Sequence, residues 1–261
     1  MAAPMKGFLK NKFFTFCQCF KQHDGIRVHS LHKRSYIKWK DMAERSAWET
    51  HYKSSDQSID WLLSYGHLKH VILPAISPIM RENVSFKIID IGCGQSDLIP
   101  QLLLNDLNNT NAYCTDFSYH CIEQLRNKFH QLNIADNCTN GNTRQDVKSC
   151  NRLNFVNCDA QYLPFQDETV NCIIDKGTTD AVLKDVIKGK KIFEKIVCEC
   201  FRILHKDGSL IQITDEVPEL RVPLLELVFS KFKIQTTQFS LSFKIIEDNE
   251  MEYYVYFIKK G

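Results

Sequence analysis

The segment Asp90-Ile91-Gly92-Cys93-Gly94 directly follows a short apolar run that begins at Phe86. Glycine lets the backbone adopt positive φ and lets a ligand approach it closely. At the carboxyl end of a buried strand, such a turn is where open α/β sheets bind nucleotide-like ligands. The third glycine of the dinucleotide pattern G-x-G-x-x-G is missing here. The segment therefore predicts a ligand site without a pyrophosphate cradle, and a purely structural glycine turn is the alternative.

Three further aspartates follow apolar runs, and each run reads as a buried strand. Asp116, beside Phe117, is placed to accept hydrogen bonds from both hydroxyls of a ribose. Asp159, beside Ala160, is placed to accept from an adenine amino group. Asp175 ends the next run. Each aspartate alone could cap a helix or lie in solvent. Together with Asp90 they predict a cofactor site at one edge of a sheet.

Alternating strand and helix patterns predict the fold that would carry these residues. Apolar runs predict strands at 86–91, 112–115, 154–158, 170–174, 209–214, 232–243 and 252–258. Helical spacing predicts helices at 41–53, 60–73, 98–104, 120–132, 192–204 and 219–229. We expect an α/β fold with a doubly wound, mostly parallel seven-stranded sheet. The last strand is antiparallel, since no helix separates the final two strands.

The charge distribution suggests three parts of the chain. Residues 1–40 carry nine Lys or Arg and a single acid, although the whole chain has a net charge of only +2. We expect residues 1–36 to be a mitochondrial transit peptide with Arg34-Ser35-Tyr36 as a protease site, and a basic tail is the alternative. Residues 37–85 then form an N-terminal helical cap, and residues 86–261 form the ligand-binding domain. A polar stretch at 133–151 reads as a surface insertion.

The composition of the chain argues against three kinds of partner, namely membranes, metal ions and nucleic acids. The chain is 44% apolar and 25% charged, and no run is long enough to span a membrane, so we expect no membrane partner. The 11 cysteines do not repeat with zinc-ribbon spacing, so we expect reduced thiols and no metal. Beyond the leader, acids outnumber bases and no N-P-P-Y or D-P-P-Y motif occurs, so we expect no nucleic-acid partner.

Several segments resemble one known family. Asp90–Gly94 is similar to motif I of S-adenosylmethionine-dependent methyltransferases of class I, although Ser96 departs from the general G-x-G-x-G pattern. Asp175–Ala181 resembles the D-K-G-T-x-D-A signature of seven-strand protein-lysine methyltransferases. Leu210–Pro223 and Cys158–Gln161, with Asp60-Trp61 and Ser64-Tyr65-Gly66, resemble the mitochondrial citrate synthase-lysine N-methyltransferases in particular. The likeness covers about residues 45–261.

The resemblance implies a class I methyltransferase with S-adenosyl-L-methionine as methyl donor, citrate synthase as protein substrate and the mitochondrial matrix as location. It implies that Asp90, Gly92, Gly94, Asp116, Phe117, Asp159, Ala160 and Asp175 contact the cofactor. Asp175 is the candidate catalytic residue, facing the methyl donor and the amine, and a structural role on the loop after it is the alternative. Lys176 is expected to orient that loop. A methyltransferase for another protein or a small molecule, or a non-catalytic assembly module, remains open.

Two further pairs have open roles. Asp215 and Glu216 either face the substrate or form a favourable acid pair at a helix N-terminus. Trp61 and Tyr65 either cover the entrance of the site or pack in the core.

Overall fold

A computed structural model describes residue 37 and residues 41–54, 60–82, 85–129, 152–232 and 239–261. These residues belong to one compact unit, residues 35–261. The predicted transit peptide and the predicted insertion at 133–151 lie outside the described ranges.

The described ranges contain a seven-stranded sheet with the strand order β3-β2-β1-β4-β5-β7-β6. The strands are β1 Phe86–Ile91, β2 Thr110–Asp116, β3 Arg152–Asn157, β4 Val170–Lys176, β5 Leu204–Thr214, β6 Phe239–Asp248 and β7 Met251–Lys260. Neighbouring strands from β3 to β5 pair in parallel, and β7 runs antiparallel to both β5 and β6. The predicted fold, with an antiparallel last strand, is confirmed.

Helices cover both faces of this sheet. They are α1 Arg45–Ser54, α2 Tyr65–Glu82, α3 Leu98–Asn105, α4 Tyr119–Phe129, α5 Thr178–Leu183, α6 Gly189–Ile203 and α7 Pro218–Lys231. In β1, Ile88 belongs to the apolar core that includes α2, α3 and α4, while Ile89 belongs to the core that includes α6 and α7. Neighbouring strand residues point to opposite faces, so β1 must be apolar on both.

Several predicted boundaries differ from the structure, and the two largest differences are in α2 and β6. Helix α2 was expected to end at residue 73, but it continues through Pro74 and Pro78. Ile72 and Ile76 are fully buried one helical turn apart, and this burial outweighs the backbone hydrogen bonds that the prolines remove. A strand was expected from residue 232, but Phe232 is the C-cap of α7 and β6 begins only at Phe239.

The short helix α5 was not expected. It begins after Gly177, whose φ is 78°, and it lies inside the D-K-G-T-x-D-A segment. With six residues, it is too short to show a clear helical period in the sequence.

The parallel register brings the ends of four strands to one edge. Ile91 at the end of β1 aligns with Thr115 of β2 and with Asp175 of β4, and Asp116 aligns with Asn157 of β3. The strand order reverses between β1 and β4, which is where open α/β sheets bind their ligands.

Candidate active site

A cleft opens at this carboxyl edge and encloses about 820 Å³ of empty space, part of it open to solvent. Predicted site residues that line it are Gly92, Gly94, Asp116, Phe117, Asp159 and Ala160. Further lining residues, which include aromatic ones, are Met42, Trp48, Tyr52, Trp61, Gln95, Ser96, Gln161, Lys176, Gly177 and Thr178. Asp90 and Asp175 are not among the lining residues.

The glycine loop after β1 needs its glycines for steric reasons. Gly92 has φ 56° and Gly94 has φ 53°, a backbone conformation that residues with a Cβ rarely adopt. A Cβ on Gly92 would overlap the side chain of Thr178, whose hydroxyl donates to the carbonyl of Ile91 at 2.7 Å. The loop therefore lies tightly against the start of α5 and leaves its backbone open to a ligand.

Asp116 is one of two aspartates that line the cleft, and its residue is only 5% exposed. Its Oδ2 accepts from the amide of Gly94 at 3.1 Å, and its Oδ1 accepts from the amide of Ser118 at 2.8 Å. Burial raises the pKa of Asp116 to about 6, while these two hydrogen bonds oppose the rise. Each oxygen keeps a further lone pair, so the carboxylate can also accept from ribose hydroxyls.

Asp159 forms a turn at the neighbouring strand end. Its Oδ1 accepts from the amide of Gln161 at 2.8 Å. This hydrogen bond holds the Asp159–Gln161 segment against the cleft, on the far side of Asp116 from β1. Backbone and carboxylate groups here are suited to the polar edge of a purine.

Helix α1 forms one wall of the cleft, and sequence reasoning missed the residue that anchors it. Glu49 accepts hydrogen bonds from Ser118 Oγ at 2.9 Å, the Tyr119 amide at 2.8 Å and His120 Nδ1 at 2.8 Å. Partial burial opposes ionisation, yet hydrogen bonds from His120 and the others lower the pKa of Glu49 to about 2. Glu49 thus caps α4 from another helix and ties α1, which carries Trp48, to the start of α4. This is a long-range contact without a local sequence signal.

Asp90 lies beneath the glycine loop. It is 1% exposed, and its Oδ1 makes no hydrogen bond. Burial raises the pKa of Asp90 to about 8, although the nearby ammonium of Lys176 opposes the rise. The raised pKa reflects the free-energy cost of burying a charged carboxylate.

Asp175 lies in a network of donors and does not line the cleft. Its Oδ1 accepts from the amides of Thr178 and Thr179, both at 3.1 Å. Its Oδ2 accepts from the Thr179 hydroxyl at 2.6 Å and from Gln212 Nε2 at 2.8 Å. Burial raises the pKa of Asp175, and the hydrogen bonds oppose the rise. This arrangement supports the structural alternative, while the catalytic assignment stays a prediction.

Lys176, the last residue of β4, holds a segment that precedes α2. Lys176 Nζ donates to Asp60 Oδ1 at 2.5 Å and to the carbonyl of Trp61 at 2.7 Å. Trp61 lines the cleft, whereas the Tyr65 hydroxyl donates to Asp106 Oδ2 at 2.6 Å and is not among the lining residues.

The acid pair after β5 is not among the cleft-lining residues. Asp215 is exposed, and the amide of Glu216 donates to Thr214 Oγ1 at 2.9 Å. Both residues precede α7, which begins at Pro218.

The described residues contain no group of three or more His, Cys, Asp or Glu that could hold a metal ion. Seven described cysteines are free thiols. No helix in the described ranges is long and apolar enough to cross a membrane.

Comparison with known proteins agrees with the geometry. Residues 89–212 match a protein family described as a methyltransferase domain. The human mitochondrial citrate synthase-lysine N-methyltransferase is 25% identical over 191 residues, which cover 71% of this chain and 75% of the relative. The mouse eEF1A lysine and N-terminal methyltransferase is 27% identical over 177 residues, covering 67% of this chain but only 22% of the relative.

One solved structure with a similar fold is the magnesium protoporphyrin IX methyltransferase from Synechocystis PCC 6803 with bound S-adenosylmethionine. It is 10% identical, with a TM-score of 0.49, and the alignment covers 90% of this chain and 100% of the other.

The cleft fits S-adenosylmethionine. Its glycine backbone admits a close ligand, Asp116 can accept from the ribose, and the Asp159 turn can receive the adenine. The sheet has the Rossmann-like seven-strand fold of class I methyltransferases, residues 89–212 match a methyltransferase domain, and the cofactor is S-adenosylmethionine.

Proposed function

We propose that this protein transfers methyl groups from S-adenosylmethionine to a lysine side chain of another protein, and that citrate synthase in the mitochondrial matrix is its substrate. The observation that carries the proposal is the similarity to citrate synthase-lysine N-methyltransferases over 71% of the chain. The D-K-G-T-x-D-A segment supports it, because that segment forms α5 and one side of the cleft.

For methyl transfer, the protein mainly has to align the methyl donor with the acceptor amine and to exclude water. The amine nitrogen attacks the methyl carbon, the carbon–sulfur bond breaks, and the neutral thioether leaves. A free lysine ammonium has a pKa near 10.4, so it must release a proton before it can attack. A cleft wall of Trp48, Tyr52 and Trp61 removes water from the ammonium, which favours the neutral amine.

Carboxylates in the described lining are Asp116 and Asp159, both on the ribose and adenine side. The proton therefore leaves toward solvent through the open mouth of the cleft. In this scheme Asp175 keeps the start of α5 in place through its bonds to Thr178 and Thr179.

The mitochondrial location rests on the basic leader and on the mitochondrial names of relatives. Residues 1–36 fused to a fluorescent protein should carry it into mitochondria, and a chain that begins at Ile37 should remain in the cytosol and still bind S-adenosylmethionine. A fusion that stays diffuse or enters the nucleus would contradict the proposed location.

The decisive experiment for the substrate is incubation of the purified protein with methyl-labelled cofactor and mitochondrial extract. Mass spectrometry should then find a methylated lysine on citrate synthase. Label on a different protein, such as a translation elongation factor, would refute citrate synthase and retain lysine methylation. Label on a small molecule alone would refute the protein substrate.

A further inference from the structure

Trp61 is a large aromatic residue that the fold leaves at the cleft with 39% of its surface exposed. Two residues later, Leu63 is 1% exposed and belongs to the core. Between them, Leu62 has φ 63°, which a leucine adopts only under strain. In this turn Leu63 is buried in the core while Trp61 stays exposed. The fold therefore keeps the indole exposed at the expense of backbone strain at Leu62.

An ion pair between the buried Lys176 and Asp60, whose side chain is 31% exposed, holds this segment against the sheet. The Lys176 side chain is 4% exposed, and its ammonium donates to the Asp60 carboxylate at 2.5 Å and to the Trp61 carbonyl at 2.7 Å. An ammonium is costly to bury unless it is paired and hydrogen-bonded. We call these contacts of Lys176 with residues 60 and 61 the latch. The latch ties the backbone of Trp61 to the end of β4.

The latch lies at one particular end of the cleft. Asp116 and Asp159, which suit the ribose and the adenine, follow β2 and β3, whereas Lys176 ends β4 on the other side of β1. An adenosine group placed over β2 and β3 directs its sulfonium toward β4. Trp61 lies at the end of the cleft that this placement leaves for the methyl group.

The indole ring of Trp48 lies beside that of Trp61. The rings of Trp48 and Trp61 are 5.9 Å apart between centroids and tilted by 56°. The Trp48 Nε1 group donates to the Met42 carbonyl at 2.8 Å, which fixes its ring. Aromatic faces attract cations, so these rings favour the positive charge that develops on the amine as it accepts the methyl group.

We propose that Trp61 and Trp48 form the wall of the subsite that receives the acceptor amine, and that the latch positions Trp61 in that wall. The proposal rests on the proposed lysine methylation and adds its substrate-binding residues. Trp61 contacts the acceptor, while Lys176 and Asp60 are positioning residues.

The first test compares Trp61→Leu with Trp61→Phe, which keeps an aromatic face. Phe243→Leu is the matched control, because Phe243 is 44% exposed and is not among the cleft-lining residues. The substrate is the extract protein that the wild type labels. Trp61→Leu should raise KM for that protein about tenfold and lower the ratio of higher methylated to monomethylated lysine. Affinity for S-adenosylmethionine should change less than twofold. Trp61→Phe should recover most of the loss.

The second test concerns the latch. Asp60→Asn and Lys176→Met should raise KM for the protein substrate in the same direction as Trp61→Leu, and Asp60→Glu should recover part of it. Melting temperatures separate this effect from unfolding, and Asp60→Asn keeps the experiment informative if Lys176→Met does not fold. Combining Asp60→Asn with Trp61→Leu should add little to Trp61→Leu alone, because the latch acts through Trp61.

These experiments distinguish failure of the proposed function from failure of the proposed subsite. A wild-type protein that labels no lysine refutes the proposed function, and the subsite with it, before any variant is compared. A wild type that labels a lysine, together with Trp61→Leu at unchanged KM and unchanged product ratio, overturns the subsite alone. Equal effects of Trp61→Leu and Phe243→Leu would also overturn it.

Discussion

Replacing Asp116 by asparagine should weaken cofactor binding and remove its pH dependence. The carboxylate accepts from the amides of Gly94 and Ser118, one on each oxygen, and is placed to accept from the ribose as well. An asparagine keeps the size but presents an NH₂ group in place of one acceptor. Losing one hydrogen bond to a charged acceptor costs about 1.5–3 kcal/mol. We therefore expect the Kd for S-adenosylmethionine to rise by a factor of about 10 to 150.

The pH dependence follows from the buried position of Asp116, which raises its pKa to about 6. Ribose hydroxyls donate to the ionised carboxylate, so protonation competes with binding. The apparent Kd scales inversely with the ionised fraction, which is about one tenth at pH 5. Wild-type affinity should thus be roughly tenfold weaker at pH 5 than at pH 8.

Isothermal titration calorimetry at several pH values measures both effects, and melting curves report whether the variant remains folded. Asp159→Asn is the matched control, since it alters a carboxylate of the same cleft but leaves Asp116 to titrate. An affinity that is flat from pH 5 to 8 in the wild type, or an Asp116→Asn protein that binds as well as the wild type, would refute the ribose assignment.

Three other substitutions test the supporting structure. Gly92→Ala should abolish cofactor binding and lower the melting temperature, because its φ is 56° and its Cβ would meet Thr178, whereas Gly66→Ala, with only a 3.7 Å neighbour, should be tolerated. Glu49→Gln should cost about 0.5–2 kcal/mol of stability as a lost helix cap. Since the pKa of Glu49 is lowered from 4.5 to about 2, denaturant titrations should show that cost above pH 4.5 and its disappearance as the pH falls toward 2. Asp175→Asn should lower stability by about 1.5–3 kcal/mol, because four donors converge on this carboxylate. Unchanged stability and cofactor affinity with lost turnover would instead support a catalytic Asp175.

Local patterns were sufficient for the sheet and for placing four of the predicted site residues at one cleft. A parallel strand that is buried on both faces is mostly apolar, so Phe86–Ile91 was identified to the residue. The carboxyl ends of parallel strands share one edge, so Gly92, Gly94, Asp116 and Asp159 could be expected at one cleft, where the structure places them. Each of these inferences needed only residues close together in the sequence and a general rule about α/β sheets.

Long-range contacts were not accessible in the same way. Glu49 caps a helix about 70 positions away, and Lys176 pairs with Asp60 more than 110 positions away. Neither pairing leaves a periodic signal, because the register between distant segments is set by how the helices pack on the sheet. The prolines of α2 misled the prediction for a related reason, since core burial outweighed a local preference.

For Asp175, the sequence determined the position at the end of β4 and left the role open. The tertiary structure decided what surrounds the carboxylate, which is a set of four donors and not the cleft. The same is true of Trp61. The sequence gives its residue type, but its exposure at the cleft depends on the strained turn at Leu62 and on the buried Lys176. Residue types determine what chemistry is available, and packing between distant segments decides which groups meet, because only packing sets burial and distance.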